Sequence, residues 1–268
     1  MDLQQFFEEN PRVALAFSGG TDSAYLLYAG VRYGARIKAY CVKSAFQPKF
    51  EEEDARRLAE ELGAELVFLP LDILSQAGVT ANPPDRCYHC KRAILTKIKE
   101  IAWKNGISCV IEGSNADDDK DYRPGARAIR ELGVRSPMKE VGLTKAEIRI
   151  LSRRAGLSTW NKQSAACLAS RFAYGQEITA EGLRMVEAAE DYLRDLGVIG
   201  QMRVRIHGEP GEAVARIELP EDQLKILLEP ESRKQVVKQL KDYGFTYVTL
   251  DLDGYRMGSM NDVLREQR

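Results

Sequence analysis

Short apolar runs alternate with amphipathic stretches through the N-terminal part of the chain. Mainly apolar runs, typical of buried strands, lie at 13–17, 36–42, 65–69 and 108–112. Stretches with helical periodicity lie at 1–10, 21–33, 50–62 and from the Cys-Tyr-His-Cys-Lys string at 87–91 to about 105. This alternation predicts βαβ units and therefore an α/β fold with a doubly wound parallel sheet.

The pattern changes twice further along the chain. Residues 113–130 are polar and predict a long loop, and 156–178 again predict mostly loop. Between them, Thr144 and Glu147 form a capping box that opens a helix at 144–154.

From residue 179 onward the order of elements is different. A long amphipathic helix is predicted at 179–196, followed by alternating strands at 202–207 and 213–218, two helices and a strand at 247–250. We therefore predict an α/β domain at 1–178 and a smaller α+β lobe at 179–268, which would serve substrate binding and oligomerisation.

Composition excludes several classes of protein. The 268 residues carry a net charge of −1 with both signs interspersed, which makes nucleic acid an unlikely partner. No apolar run approaches the ~20 residues that span a bilayer, and the N-terminus has no signal-peptide pattern. Five cysteines, an odd number, favour a cytoplasmic location and metal or catalytic use over disulfides.

The strongest local motif is Ser-Gly-Gly-Thr-Asp-Ser at 18–23, between the first strand and the first helix. Two glycines let an anion approach the backbone, and a helix N-terminus favours negative charge. Asp22 would repel phosphate unless Mg²⁺ bridges them. The motif has no lysine and is not a Walker A loop, but it resembles the PP-loop of ATP pyrophosphatases. The alternative is an ordinary serine-capped helix.

Ligands on parallel sheets bind beyond the carboxyl ends of the strands. The segments after the second and fourth strands should therefore converge on the motif as an ATP site. The acidic turn at 117–119 would either help to hold Mg²⁺ or be solvated. The candidate ATP-binding residues are Ser18, Gly19, Gly20, Asp22, Ser23, Lys43, Ser44, Gly113 and Arg123.

Three cysteines are candidates for chemistry. Cys87 and Cys90 form a C-x-x-C, and Cys167 stands in a loop near Lys162 and Arg171. The C-x-x-C pair fits a redox pair poorly and lacks a clear fourth ligand for zinc, whereas three thiolates suit a 4Fe–4S cluster with an open position. Alternatively, Cys167 would itself be a nucleophile or sulfur donor.

The two other cysteines, Cys41 and Cys109, lie in strand-like apolar runs. We expect them to be core residues, because a free cysteine in such a context behaves as a small apolar side chain.

Motifs across most of the chain together resemble the LarE family. Besides the PP-loop they are Asp-Tyr-Arg-Pro-Gly at 121–125, Cys-Leu-Ala-Ser-Arg at 167–171, Arg-x-Arg at 203–205 and Gly-Tyr-Arg-x-Gly-Ser at 254–259. LarE proteins are ATP-dependent sulfur transferases that make the nickel-pincer nucleotide cofactor of lactate racemase. The resemblance implies that ATP adenylates a carboxylate of a pyridinium dicarboxylate mononucleotide and that sulfur then displaces AMP to leave a thiocarboxylate. It also implies a PP-loop fold of the adenine nucleotide α-hydrolase type.

The resemblance also implies roles for individual residues. Cys167, Asp22 and Ser18 would be catalytic. Arg203 and Arg205, two apart on one strand, would face the same side and clamp a nucleotide phosphate, or else form a solvated basic strand face. Lys91 and Arg171 would neutralise developing charge or bind the substrate carboxylates.

In single-cysteine members of the family, the residue at the position of Cys167 gives up its own sulfur and becomes dehydroalanine. Here Cys87 and Cys90 match the three-cysteine variant, so we favour a 4Fe–4S cluster on all three that carries the transferred sulfur. We also expect a homo-oligomer. The alternatives are a tRNA thiolation enzyme, an ammonia-using ligase such as NAD synthetase, and a non-catalytic nucleotide-binding module.

Overall fold

The computed structural model describes residues 2–120, 124–163, 166–209 and 211–261. The chain folds as two compact units. The first unit comprises Met1–Ile73 and Asp85–Ala165, and the second unit comprises Leu74–Pro84 and Ala166–Arg268. This division falls earlier in the chain than the domain boundary expected at 178/179, which stays a prediction.

The strands and the longer helices follow the predicted order. The helices are α1 Leu3–Glu9, α2 Thr21–Arg32, α3 Lys49–Glu61, α4 Ala77–Thr80, α5 Arg86–Lys104, α6 Gly125–Glu131, α7 Pro137–Glu140, α8 Lys145–Arg154, α9 Ala180–Asp195, α10 Leu224–Leu228 and α11 Pro230–Asp242. The strands are β1 Arg12–Ala16, β2 Arg36–Lys43, β3 Glu65–Pro70, β4 Cys109–Glu112, β5 Arg203–His207, β6 Val214–Glu218 and β7 Tyr247–Leu250. The three short helices α4, α6 and α7 were not predicted.

The first unit is built on a parallel sheet with the strand order β3-β2-β1-β4. Val13 of β1 lies between Ile37 of β2 and Cys109 of β4. The order reverses between β1 and β4, and in sheets of this kind a ligand binds at such a switch point, beyond the carboxyl ends of the strands. The predicted α/β fold with a parallel sheet is confirmed.

Both faces of this sheet are covered, because side chains alternate along each strand. Leu15 points into a cluster with Phe6 of α1, Leu26 of α2 and other buried side chains of that face. Ala14 points the other way, into a cluster that includes Leu95 of α5. Helices on both faces make the sheet doubly wound, as the sequence predicts.

The prediction of a loop at 113–130 is wrong for its second half, because α6 begins at Gly125. Its Ala128 and Ile129 are buried, and Ile129 joins the core cluster of Leu95. The residues before the helix are typical of turns, so the local pattern did not predict it. The helix is stabilised by this tertiary contact instead. Residues 121–123 lie outside the described part of the chain.

The second unit contains the predicted smaller α+β arrangement. Its sheet has the order β5-β6-β7, with β5 and β6 antiparallel and β6 and β7 parallel. Thr179 caps α9 by accepting a hydrogen bond from the Gly182 N–H at 3.1 Å. The helix then packs Leu193 and the other residues of its apolar face into the interior.

Candidate active site

The PP-loop connects β1 to the N-terminus of α2. Gly19 has a φ of +70°, and a Cβ added there would lie 3.2 Å from the Cβ of Ala55 in α3. Gly20 is the N-cap and provides no side-chain cap, so the first turn of α2 is open to an anion. The Ser18 N–H donates to Ser23 Oγ at 3.3 Å, and the two hydroxyls lie 3.1 Å apart. This loop has the geometry of a phosphate cradle.

The end of β4 closes directly on this loop. A Cβ added to Gly113 would lie 3.0 Å from the backbone nitrogen of Ser23, so a larger residue would push against the first turn of α2. The carboxyl ends of β1 and β4 therefore meet, as the sequence predicts for the PP-loop and Gly113.

The segment after β2 carries the next two candidates. Lys43 is largely exposed, and its Nζ lies 2.6 Å from Glu52 Oε2 on α3. Ser44 begins a turn in which its Oγ accepts from the Phe46 N–H at 3.4 Å. Both residues lie at the expected strand end, but neither makes a contact with the PP-loop that would identify an ATP-binding role.

Glu112, the last residue of β4, is buried and linked to Lys91 of α5. Lys91 Nζ donates to Glu112 Oε2 at 3.0 Å, and Ser136 Oγ and the Ser114 N–H donate to Oε1. Burial alone would raise the pKa of Glu112, but the Lys91 charge and these hydrogen bonds together lower it. Lys91, a predicted substrate-binding residue, is thus held by a carboxylate that sequence reasoning missed.

Two lysines from distant parts of the chain reach the PP-loop. Lys145 Nζ lies 2.7 Å from Asp22 Oδ2. Lys162 Nζ donates to the Gly19 carbonyl at 3.2 Å and to Asp54 Oδ2 at 2.8 Å. The PP-loop has no lysine of its own, and no local signal in the sequence points to Lys145 or Lys162.

The acidic turn after β4 serves the backbone around it. Asp117 Oδ2 accepts from the Lys145 N–H at 2.9 Å, and Asp118 Oδ2 accepts from the Asn115 N–H at 3.3 Å. Both side chains therefore accept hydrogen bonds from main-chain groups, and a role of the turn in holding Mg²⁺ stays a prediction.

Cys87 and Cys90 stand in the first turns of α5, three residues apart and therefore on one face. Cys87 is exposed and Cys90 is half-buried. Nη2 of the buried Arg86 lies 3.8 Å from Cys87 Sγ. Soft sulfur donors beside a cation and a helix N-terminus suit an anionic iron–sulfur centre.

The other cysteines of the first unit have a different environment. Cys41 is buried, and burial raises the pKa of its thiol to about 11. Burial also raises the pKa of Cys109, which packs against the core. These surroundings keep both thiols protonated and agree with the predicted core role.

In the second unit, Cys167 lies on a turn held by Arg171. Cys167 is exposed, whereas Arg171 is only 3% exposed. Arg171 Nη1 donates to the carbonyls of Ala166 and Cys167 at 2.6 and 3.1 Å. Its Nε and Nη2 donate to the two carboxylate oxygens of Glu190 at 2.8 and 2.7 Å. Arg171 thus fixes the backbone that carries the cysteine.

The predicted phosphate clamp on β5 consists of two unlike arginines. Arg205 Nε and Nη2 donate to Glu218 at 3.0 and 2.8 Å, so a carboxylate already occupies its fork. Arg203 lies over the Tyr255 ring at 5.2 Å, and no carboxylate among the described residues lies within ion-pairing distance of it. Burial and then Arg171 lower the pKa of Arg203. Of the two guanidinium groups, that of Arg203 is therefore the better candidate to bind an anion.

Some of the predictions have no counterpart in the described part of the chain. Arg123, predicted to bind ATP, lies outside the described residues. Within those residues no group of three or more His, Cys, Asp or Glu side chains is arranged to hold a metal ion. Cys87 and Cys90 belong to the first unit and Cys167 to the second. No described helix is long and apolar enough to cross a membrane.

Comparison with known proteins identifies the family. The chain is 40% identical over 255 residues to pyridinium-3,5-bisthiocarboxylic acid mononucleotide synthase of Lactiplantibacillus plantarum, which covers 94% of this chain and 90% of that protein. It is 41% identical over 266 residues to an uncharacterized protein of Synechocystis sp., which covers 98% and 97%. It is 24% identical over 201 residues to the tRNA-specific 2-thiouridylase MnmA of Thermotoga petrophila, which covers 58% and 55%. No family model matches the chain. The 40% identity to the synthase extends over nearly the full length of both chains, and the PP-loop lies at the switch point of the sheet. Together they show that the chain belongs to the LarE family of ATP-dependent sulfur transferases.

Proposed function

We propose that this enzyme adenylates a carboxylate of a pyridinium dicarboxylate mononucleotide and replaces AMP with sulfur, for the nickel-pincer cofactor of lactate racemase. The observation that carries the proposal is the open PP-loop in a chain that is 40% identical to a bisthiocarboxylic acid mononucleotide synthase. We propose a cytoplasmic location and a homo-oligomeric state as well.

In the first step a substrate carboxylate oxygen attacks the α-phosphorus of ATP. The bond to the bridging oxygen breaks, and pyrophosphate leaves with the electron pair. The backbone of Gly19 and Gly20 and the hydroxyls of Ser18 and Ser23 would hold the phosphates. Asp22 would bind Mg²⁺, because a carboxylate oxygen is the hard, negatively charged ligand that this ion prefers.

In the second step a sulfur nucleophile attacks the carbonyl carbon of the acyl adenylate. The carbon–sulfur bond forms and AMP leaves, which converts the carboxylate into a thiocarboxylate. Adenylation is needed because a free carboxylate is a poor electrophile with no good leaving group.

We propose that Cys87, Cys90 and Cys167 hold a 4Fe–4S cluster. Their donor chemistry fits this group, since two exposed or half-buried thiols share one helix face and the third lies on an exposed turn. When bound, the cluster would supply a transferable sulfide. The alternative is that the Cys167 thiolate displaces AMP to form a thioester. Loss of the Cα proton of Cys167 to water and cleavage of its Cβ–Sγ bond would then leave the thiocarboxylate and dehydroalanine, and Arg171 would hold the turn in place.

The substrate anions would be bound by cations of the described sites. Arg203 is the candidate for the phosphate, because it is buried and has no carboxylate partner among the described residues. Lys91, Arg171 and Arg205 are candidates for further contacts. Each of the three is already paired with a carboxylate of the protein, which equally supports a role in positioning neighbouring groups.

The test is to incubate anaerobically purified protein with ATP and the dicarboxylate mononucleotide. We expect release of pyrophosphate and AMP, and a product whose mass reflects replacement of oxygen by sulfur. Asp22→Asn should abolish pyrophosphate release. Pyrophosphate release with tRNA, but not with the mononucleotide, would contradict the proposal and favour tRNA thiolation.

The sulfur source is tested by assaying iron and acid-labile sulfide in Cys87→Ala and in a matched control, Cys109→Ala. We expect the first variant alone to lose both. If neither iron nor sulfide is found and Cys167 becomes dehydroalanine during the reaction, the cluster proposal is wrong and the cysteine is consumed.

A further inference from the structure

The PP-loop has no lysine of its own, yet the structure brings the ammonium group of Lys145 to Asp22. The distance from Lys145 Nζ to Asp22 Oδ2 is 2.7 Å, and the two side chains are 34% and 24% exposed. Water therefore reaches this ion pair. Because an exposed ion pair contributes little free energy, either of its groups can readily change to another partner.

The backbone of Lys145 is held in place, whereas its side chain is 34% exposed to solvent. Lys145 is the first residue of α8, which starts with the capping box of Thr144 and Glu147. Its N–H donates to Asp117 Oδ2 at 2.9 Å, which ties the start of α8 to the segment after β4. The ammonium group can therefore move by changes in its own side chain alone while the site stays in place.

Lys162 has a different arrangement at the same loop. Its Nζ lies between the Gly19 carbonyl and Asp54 Oδ2, with the side chain 20% exposed. It is thus bound to two fixed groups that are not predicted ligands of Mg²⁺. Lys162 braces the backbone of the loop, whereas Lys145 pairs with the carboxylate that the nucleotide-bound metal ion would need.

We propose that Lys145 is the catalytic lysine of pyrophosphate release, and that it exchanges Asp22 for the phosphates of ATP when Mg²⁺ binds Asp22. This inference rests on the proposed function. A divalent cation attracts the carboxylate more strongly than an ammonium group does at a similar distance, so Mg²⁺ displaces Lys145. The displaced ammonium group then lies beside the pyrophosphate as it leaves.

The role needs no proton transfer. When the bond between the α-phosphorus and the bridging oxygen breaks, the electron pair stays on that oxygen, and the pyrophosphate gains negative charge. Hydrogen bonds from the Lys145 ammonium group stabilise that charge more in the transition state than in bound ATP, which is the condition for catalysis.

The exchange predicts two effects of opposite direction for Lys145→Met in the full-length protein. Because the competing ammonium group is gone, Mn²⁺ without nucleotide should bind several-fold more tightly, as measured by the loss of the free Mn²⁺ signal in electron paramagnetic resonance. Because the leaving group loses its cation, kcat for pyrophosphate release should fall roughly 10²-fold. A residue that only supported the fold would not tighten metal binding.

Two further variants complete the design. Lys145→Arg keeps the charge and should bind Mn²⁺ nearly as the unmodified chain does, with part of the activity retained. Lys104→Met removes an exposed lysine at the far end of α5 and should change neither quantity.

Unchanged or weaker Mn²⁺ binding by Lys145→Met would overturn the exchange, and an unchanged kcat would overturn the catalytic role. Failure of the proposed function is a separate result, namely no pyrophosphate release by the unmodified chain with the mononucleotide. The Mn²⁺ measurement needs neither nucleotide nor substrate and still decides whether Lys145 competes for Asp22.

Discussion

The two units use charged side chains in different ways. At the PP-loop of the first unit, Lys145 and Asp22 form a half-buried pair. In the second unit, Arg171 and Glu190 form a pair whose side chains are 4% and 1% exposed. A pair in contact with water can exchange partners at low cost, whereas a buried two-pronged pair holds a fixed geometry.

The buried pairs of the second unit also bind the backbone near the cysteine. Arg171 donates to the carbonyls of Ala166 and Cys167, and Arg205 donates to the Ser170 carbonyl at 2.6 Å. The Lys145–Asp22 pair of the first unit is thus placed to change partners, whereas the buried arginine pairs of the second unit hold the turn of Cys167 in position.

The largest expected effect comes from breaking the buried pair with Glu190→Leu. The Arg171 guanidinium would then be buried without its carboxylate, which typically destabilises a protein by about 3–5 kcal/mol. Urea denaturation followed by circular dichroism measures the loss.

The contrasting variant is Arg203→Met. This arginine has no carboxylate partner among the described residues, so removing its charge should leave the free energy of unfolding unchanged or higher. The affinity of the Arg203→Met variant for the mononucleotide should nevertheless fall. Equal destabilisation by the two variants would contradict the distinction between a paired and an unpaired buried arginine.

A smaller effect is expected from crowding the PP-loop with Gly113→Ala. The added Cβ lies 3.0 Å from the Ser23 backbone nitrogen, so the start of α2 must shift at a cost of about 1–3 kcal/mol. We expect a higher ATP concentration at half-maximal pyrophosphate release.

The matched control is Gly182→Ala in α9, whose added Cβ would lie 2.9 Å from the Phe172 ring in the second unit. It should lower stability and leave the ATP dependence unchanged. If both variants changed the ATP dependence alike, the effect of Gly113→Ala would not be specific to the loop.

Removal of a helix cap should cost less. Thr179→Ala leaves the Gly182 N–H without its side-chain acceptor at the start of α9, and the expected loss is about 1 kcal/mol. The midpoint of urea denaturation reports it, and Thr179→Ser, which keeps the hydroxyl, should restore most of the stability.

The smallest effect concerns a single half-buried imidazole, His207, which accepts a hydrogen bond from Arg216 Nε at 3.1 Å. Burial and then the Arg216 charge lower the pKa of His207 below 6.5. The unfolded chain therefore binds the proton more readily, so stability is fully present above pH 6.5 and is lost as the pH falls toward the folded pKa. His207→Gln should flatten this part of the pH–stability curve, and a curve unchanged by the substitution would rule out this imidazole as its cause.

Local patterns were sufficient for much of the fold and for the family. Apolar runs and helical periodicity predicted all four strands of the parallel sheet, because both are properties of consecutive residues. The PP-loop and the Thr144 capping box were likewise visible, since glycine freedom and capping act within a few residues. The helix α6 was missed because its stability depends on packing Ile129 into a distant core.

The sequence by itself determined the alternation of strands and helices and the phosphate loop, and it indicated several candidate cations but not Lys145. Only the tertiary structure decided which partner each cation has. Lys145 reaches Asp22 across 123 residues of chain, and Lys162 reaches Gly19 across 143. No spacing rule connects residues so far apart, because their contact depends on the packing of whole helices and loops around the sheet. The same packing pairs Arg205 with Glu218 and leaves Arg203 over an aromatic ring, although the two arginines look alike in the sequence.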